Sequence, residues 1–341
     1  MKHEIDLKKY QIRTDLAIDL IKQNNIKGIK SSYKIIDNIK ITDVYIDKES
    51  EKKISKKEGN YITIEFDDVT DYDNKEKVKE IFVKELKKII KNNNIKKEDS
   101  CLIVGLGNDA STPDSLGPKS VSNVVVTNHL FVYGDVTAGF RKTYALSPGV
   151  MGSTGIETSE LIKAVVCSIK PGFVLVIDAL ASQSVERVNK TIQMTDTGIQ
   201  PGSGVGNSRK ELSKDTLNIP VIAIGVPTVV DAVTIVSDTI NYMFKHYSYN
   251  KNNINNPTNK LIPSTSLNYL KKDINITLED KKTLMGVIGS LESEEIKQLI
   301  FEVLTPIGYN LMVTPKEIDF LIDKLSDVIG NGINHALHGK I

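Results

Sequence analysis

Two aspartates carry the clearest chemical signal in this chain. Asp114 lies in Thr112-Pro113-Asp114-Ser115-Leu116-Gly117-Pro118, shortly after the apolar run Leu102–Leu106, and Asp178 directly follows the apolar run Phe173–Ile177. Each is expected where a buried parallel strand gives way to a loop, the edge of an open α/β sheet at which ligands bind. Pro113 fixes its own backbone and biases Thr112 away from helix, and Gly117-Pro118 follows at once, so the loop should present Asp114 at a defined angle. Aspartate is also a common helix N-cap, and a helix beginning near Ser115 or Pro118 would use Asp114 in that way. A carboxylate at the end of a buried strand is costly unless paired or hydrogen-bonded. Asp178 therefore either binds the backbone N–H groups of the next loop or does chemistry. If the two meet on one edge, like-charge repulsion raises one pKa and leaves the other low. One carboxyl then keeps a proton near neutral pH while the other deprotonates a water, the general acid/base arrangement of an aspartic protease. Such a pair titrates as a unit, so acid and base stay unassigned at this level. Asp109, in Gly107-Asn108-Asp109-Ala110, is a competitor that reads as a turn residue.

Other candidates are weaker. The glycine-rich stretch Gly202–Asn207, with Gly204 and Gly206 at its centre, lacks the Gly-Lys-Ser/Thr of a phosphate-binding loop and follows no strand-to-helix junction. It reads as a substrate-binding or framework loop. Ser147–Gly152, with Gly149 and Gly152, either lends backbone N–H groups to a polarised carbonyl or is a simple turn. His335 and His338 show ligand-like spacing without an obvious carboxylate partner, so no metal site and no cofactor are expected. Ser153, Ser182 and Ser184 have no histidine evidently placed to activate them. Cys101 and Cys167 lie in or beside apolar runs and form no CxxC pair, so both read as buried thiols in a reducing compartment. A net charge of +1 gives no bulk attraction to nucleic acid or an anionic membrane. No apolar run is long enough for a membrane span and Met1–Tyr10 is not a secretory signal, so a cytoplasmic location is expected.

The elements that must position these residues follow from hydrophobic period. In residues 1–98, Ile62, Ile64 and Phe66 alternate with polar residues, which predicts a half-exposed strand, with a hairpin closing at Gly59-Asn60. Glu76–Ile90 reads as an amphipathic helix burying Val78, Ile81, Phe82, Leu86 and Ile89. From about 99 to 246, apolar strands alternate with helices: strands at Leu102–Leu106, Phe173–Ile177 and Val221–Val226, helices at Pro118–Asn128, behind a capping box at Thr154–Glu157, and after Thr228 through Phe244. That order predicts a largely parallel sheet covered by helices. Residues 247–275, with polar Asn250–Asn259, read as a loop or flexible insertion, and about 277–335 as C-terminal helices. There, Thr314–Glu317 predicts a capped helix start and Gly330 a helix stop.

Taken together, these residues resemble the spore germination protease family of endospore-forming Firmicutes. The resemblance is carried by Gly105–Asn108, Thr112–Pro118, Val126–Phe131, Pro148–Gly152, Gly155–Ser159, Ile177–Ala181, Ser184–Asn189, Thr195–Ile199, Pro201–Asn207 and Ile222–Val233. It is strongest over about 100–240. It implies a three-layer α/β/α fold with a mostly parallel mixed sheet, similar to the hydrogenase maturation proteases, with N-terminal β elements and a C-terminal helical region. It implies an atypical aspartic endopeptidase whose essential aspartates fall on Asp114 and Asp178, and whose substrates are small acid-soluble spore proteins in the spore core. It also implies a homotetramer made as a zymogen. The family cuts after an acidic residue and before an apolar residue followed by alanine. Thr14-Asp15-Leu16-Ala17 fits, so residues 1–15 would be a propeptide removed by self-cleavage at Asp15–Leu16, leaving a single catalytic domain over 16–341. Ile12 departs from the pattern, since substrates tend to be acidic four residues before the bond; without processing, residues 1–15 would be a disordered tail. Two alternatives stay open: a metal-dependent maturation-type protease, although no histidine closely follows the Val226 strand, and a non-catalytic binder of spore proteins.

Overall fold

The apolar runs become the middle of one mixed sheet. A computed structural model describes residues 15–19, 28–54, 56–134, 136, 138–202, 209–254, 274–304 and 311–339. These group into two compact units, one within Arg13–Val230 and Thr314–Ile341, the other within Asp231–Val313.

Among the described residues of the larger unit, eight strands run in the order β1-β2-β3-β7-β8-β6-β4-β5. They are β1 (Ile29–Ile36), β2 (Ile39–Ile46), β3 (Gly59–Glu65), β4 (Cys101–Gly105), β5 (Thr143–Leu146), β6 (Phe173–Ser182), β7 (Thr191–Thr195) and β8 (Val221–Asp231). β8, β6, β4 and β5 pair in parallel, and the pairings from β1 to β8 through β7 are antiparallel. The N-terminal β elements thus extend the antiparallel side of the sheet.

Side-chain alternation along a strand sends successive residues to opposite faces. Cys101, Ile103, Phe173, Leu175 and Ile177 join one core with α2 (Tyr72–Asn92) and α11 (Ile318–Leu337). Leu102, Val104, Val174 and Val176 join another with Ile162 and Val166 of α6 (Thr158–Ile169) and Leu217 of α7 (Lys214–Leu217). Helices therefore cover both faces, the three layers expected.

Several local expectations are corrected. Tyr61, Ile62, Thr63 and Ile64 are all buried, because both faces of β3 are covered: Ile62 and Ile64 join the core with α2, and on the other face Tyr61 packs with Ala17, Val44 and Ile46. Gly59 and Asn60 start β3, and α1 (Lys48–Ile54) makes the connection from β2. The helix expected over Pro118–Asn128 is two, α3 (Leu116–Ser122) and α4 (Asn128–Tyr133). Thr154 ends the short α5 (Met151–Thr154), and α6 starts after Glu157 without a side-chain cap, so there is no capping box. Thr314 does not cap α11 either; its hydroxyl donates to Thr228 O at 2.9 Å. Gly330 is no stop, since α11 runs on to Leu337. A Cβ at Gly330 would sit 2.6 Å from Ser120 O, so this glycine lets α3 approach α11. Cys101 is buried but Cys167 is exposed, on the outer side of α6.

In the smaller unit, Asp231 caps α8 (Ala232–Asn253), its Oδ1 accepting from Val233 N at 2.7 Å. Val233 packs with Ile296 and Ile300 of α10 (Ser293–Leu304). α8 continues past the expected loop start at 247, because Ser248 and Lys251 are anchored to Asp280 of α9 (Leu278–Met285), at 3.0 and 2.8 Å. Residues 255–273 of that expected loop lie outside the described residues. Among the described residues no helix is long and apolar enough to cross a membrane.

Candidate active site

The site arises from unequal strand lengths. β4 ends at Gly105, in register with Ile177, while β6 continues to Ser182 paired with β8. Asp178 thus lies inside β6 rather than at its end. It is the first β6 residue without a β4 partner, and the loop after β4 takes the place of one. Leu106 N donates to Ile177 O at 2.8 Å, which ties that loop beside Asp178.

The same loop carries Asp114 within a 3₁₀ turn, Thr112–Asp114. Gly107 adopts φ +112°, and a Cβ there would lie 2.0 Å from Asp114 O, so only glycine permits this fold-back. Asn108 N donates to Asp114 Oδ2 at 2.9 Å and to Asp114 O at 3.1 Å. From β8, Thr228 Oγ1 donates to Pro113 O at 2.7 Å. The residue preceding α3 is Ser115, and it makes no side-chain cap. Asp114 is therefore not the helix cap; its carboxylate is turned back to the β4 loop. Asp109 is exposed, and Asn108 Oδ1, accepting from Ala110 N at 3.1 Å, holds that turn instead.

Asp178 is 6 % exposed and accepts from Ala179 N at 3.0 Å. Burial pushes its carboxyl well above the usual carboxylate range, and the charges of Asp114 and Asp15 push it further; the Ala179 N–H and Arg209 oppose. Asp114 is also raised, by burial, against the Asn108 N–H and Arg209. Asp178 feels the charge of Asp114, and both carboxyls feel Arg209. No pattern in the sequence marked Arg209; its one signal is its place just after the glycine-rich Gly202–Asn207 stretch.

A third carboxylate arrives from the N-terminal segment. Asp15 N donates to Ala181 O at 3.2 Å, and Ala181 N donates to Asp15 Oδ2 at 2.9 Å. Leu16 is wholly buried against Leu180 and Ile18. Ala17 N donates to Gln193 Oε1 at 2.8 Å, and Asp19 pairs with Arg187. Leu180 and Asp178 share a face of β6, so the Asp15–Leu16 peptide lies along the face that presents Asp178. Residues 15–19 are therefore bound in place rather than trailing; residues 1–14, the rest of the expected propeptide, lie outside the described residues.

The remaining candidates are less central. Gly149 has φ +71°, and its carbonyl accepts from Thr158 Oγ1 at 3.3 Å, which ties it to α6. Gly152 faces open space in α5. Gly204 and Gly206 lie outside the described residues. His338 is buried, with Nδ1 accepting from Arg141 N at 3.2 Å, a framework contact. Among the described residues no group of three or more His, Cys, Asp or Glu side chains could hold a metal ion.

Comparison with known proteins places these residues in context. A family model described as germination protease matches residues 7–341. The germination proteases of Geobacillus sp. (strain WCH70) and Bacillus subtilis (strain 168) are each 48 % identical to the chain, covering 100 % of it and 97 % of their own length. That of Oceanobacillus iheyensis is 49 % identical over 97 % of the chain and 95 % of its own. Among solved structures, a [NiFe] hydrogenase maturation protease, HycI from Thermococcus kodakarensis KOD1, aligns with a TM-score of 0.28 and 17 % identity, over 42 % of this chain and 79 % of that one.

Proposed function

The chain belongs to the germination protease family, a protease of spore germination, and from that premise we propose that it is an aspartic-type endopeptidase working through Asp114 and Asp178. The observation that carries the reading is that two carboxyls come to one sheet edge on separate elements, close enough for the charge of Asp114 to raise the pKa of Asp178. Asp178 is the more buried and feels the charges of both Asp114 and Asp15, so it holds the proton near neutral pH. Asp114, with the Asn108 N–H and Arg209 nearby, is the base. Asp114 takes a proton from water as its oxygen adds to the peptide carbonyl carbon. Asp178 gives its proton to the departing amine nitrogen as the C–N bond breaks.

The substrates of this reading are small acid-soluble spore proteins, cut after Asp or Glu and before an apolar residue followed by alanine. The chain's own Asp15-Leu16-Ala17 has that character, and its docking beside β6 supports a zymogen that cuts itself at Asp15–Leu16. A docked segment there also blocks the site until it is cut. Assembly as a homotetramer in the spore core completes the proposal.

The test is incubation of processed protein with a small acid-soluble spore protein, beside Asp114→Asn and Asp178→Asn chains and a chelator control. The expected result is cleavage by the parent alone, unaffected by chelator. Full turnover by either variant refutes the two-carboxylate mechanism. Loss on chelation with recovery on adding one metal favours the metal-dependent alternative, and binding without cleavage favours a holding protein.

A further inference from the structure

Lys56 and Gln193 belong to no motif in the sequence, yet both reach one peptide oxygen. Lys56 Nζ donates to Asp15 O at 3.0 Å, and Gln193 Nε2 donates to the same oxygen at 3.1 Å. Resting on the reading of Asp15–Leu16 as the bond that is cut, we infer that Lys56 and Gln193 form the oxyanion hole of this protease. They would be the groups that hold the carbonyl oxygen of the residue before the cut, both in the chain itself and in substrates.

The row of residues across the sheet supports this. Gln193 on β7 is in register with Gly225 on β8, and Gly225 with Asp178 on β6. Residues in register project from the same face, so Asp178 and Gln193 stand on one face, two strand spacings or about 10 Å apart. Gly225 between them offers no side chain. Leu180 occupies the space its Cβ would need, and Leu180 in turn packs on Leu16. The docked peptide is thus seated over this row, with the acid on one side and the amide on the other.

Gln193 is oriented for the task. It is 6 % exposed, and its Oε1 accepts from Ala17 N, which turns Nε2 towards Asp15 O. One side chain therefore reads the backbone on both sides of Leu16. Lys56 brings a cation into a desolvated position; burial draws its pKa down, and the Asp15 carboxylate opposes that. A ground-state carbonyl gains little from so costly a partner, whereas a developing negative charge gains much.

In the reaction, addition of the water oxygen to the Asp15 carbonyl carbon converts C=O to C–O⁻. Lys56 and Gln193 donate to that oxygen. Collapse restores C=O as the C–N bond breaks and the Leu16 nitrogen takes its proton. The products are a carboxyl group on Asp15 and an amine on Leu16, with one water consumed.

The experiment uses the full chain with Lys56→Met, Lys56→Arg and Gln193→Glu. Self-cleavage is followed as the rate at which a chain beginning at Leu16 appears, and kcat and KM are measured on a peptide of acidic–apolar–Ala sequence. The expected loss is about 10²–10³-fold in kcat for Lys56→Met and for Gln193→Glu, with KM changed by less than about threefold and Lys56→Arg recovering about tenfold. Either folded variant cutting within about threefold of an active parent, or a loss confined to KM, overturns the oxyanion hole while leaving the protease reading intact. If Lys56→Met does not fold, Gln193→Glu decides. A folded parent that never cuts itself or the peptide overturns both.

Discussion

Replacing Gly330 with alanine sets two effects against each other with opposite signs. Gly330 lies inside α11, where alanine is favoured over glycine by about 1 kcal/mol. The added Cβ would lie 2.6 Å from Ser120 O and 2.6 Å from Asn123 Cβ. Neither atom is the end of a flexible side chain, so relief requires α3 to move away from α11. Forcing a methyl into packed structure costs about 1–3 kcal/mol. The same junction holds Val125 N on Asn334 Oδ1 and Asn334 Nδ2 on Asn123 O, both at 2.8 Å, and stretching these adds to the cost. The net is a destabilisation of about 1–2 kcal/mol, read as a melting temperature lower by a few degrees. Because α3 begins two residues after Asp114, the displacement should also reach the Asp114 loop and lower kcat. Thermal unfolding of Gly330→Ala is compared with Gly152→Ala, whose Cβ meets open space in α5, so that helix propensity acts alone and the chain should melt at or slightly above the parent. A Gly330→Ala chain that melts at or above the parent would refute the reasoning, since helix propensity would then have outweighed the close approach.

Asp178→Asn tests the buried carboxyl through stability. The raised pKa means the folded state binds this proton more tightly than the unfolded chain does, so its contribution is complete below the unfolded value of about 4 and is lost as pH rises through the folded value. The variant should therefore gain on the parent as pH rises from acid to neutral, by about 1.4 kcal/mol for each unit of the shift; parallel stability curves for the two chains would count against it. Thr228→Val keeps the shape of a side chain that is 1 % exposed but removes its hydrogen bond to Pro113 O. Leaving that carbonyl unpaired should cost about 1–3 kcal/mol and loosen Asp114, lowering kcat more than it raises KM; an unchanged kcat would show that Thr228 does not position the loop.

Which parts of the fold are legible depends on how far each signal reaches along the chain. β4, β6 and β8 stand out as apolar runs because burial on both faces removes any need for polar residues. The amphipathic stripe of α2 is equally local. β3 is different: the face carrying Tyr61 and Thr63 is buried because Ala17, from a segment more than 40 residues earlier, packs on Tyr61 and bonds to Gln193, the residue in register with Thr63. Gly330 and Thr314 misread for the same reason. A glycine late in an apolar helix pattern and a threonine ahead of one have common local meanings, but here the first is a notch for α3 and the second a donor to Thr228 O.

The site divides along that line too. Asp114 and Asp178 are legible as a pair because each lies close to an apolar run of the kind that forms a central strand. What joins them is register, which no local pattern encodes: β4 stops opposite Ile177, and only then does Asp178 face the Asp114 loop. Lys56, Gln193 and Arg209 are less legible still. Lys56 sits in a polar connector, Gln193 is one polar residue in a short strand, and Arg209 follows a glycine-rich loop, all common settings for side chains with no special task. They acquire one when β7, β8 and β6 align Gln193, Gly225 and Asp178 in a row and the Asp15–Leu16 peptide lies over it. Carboxylates can be nominated from the apolar runs they follow. Groups that neutralise charge as it develops must be read from the three-dimensional partners of the oxygen they touch.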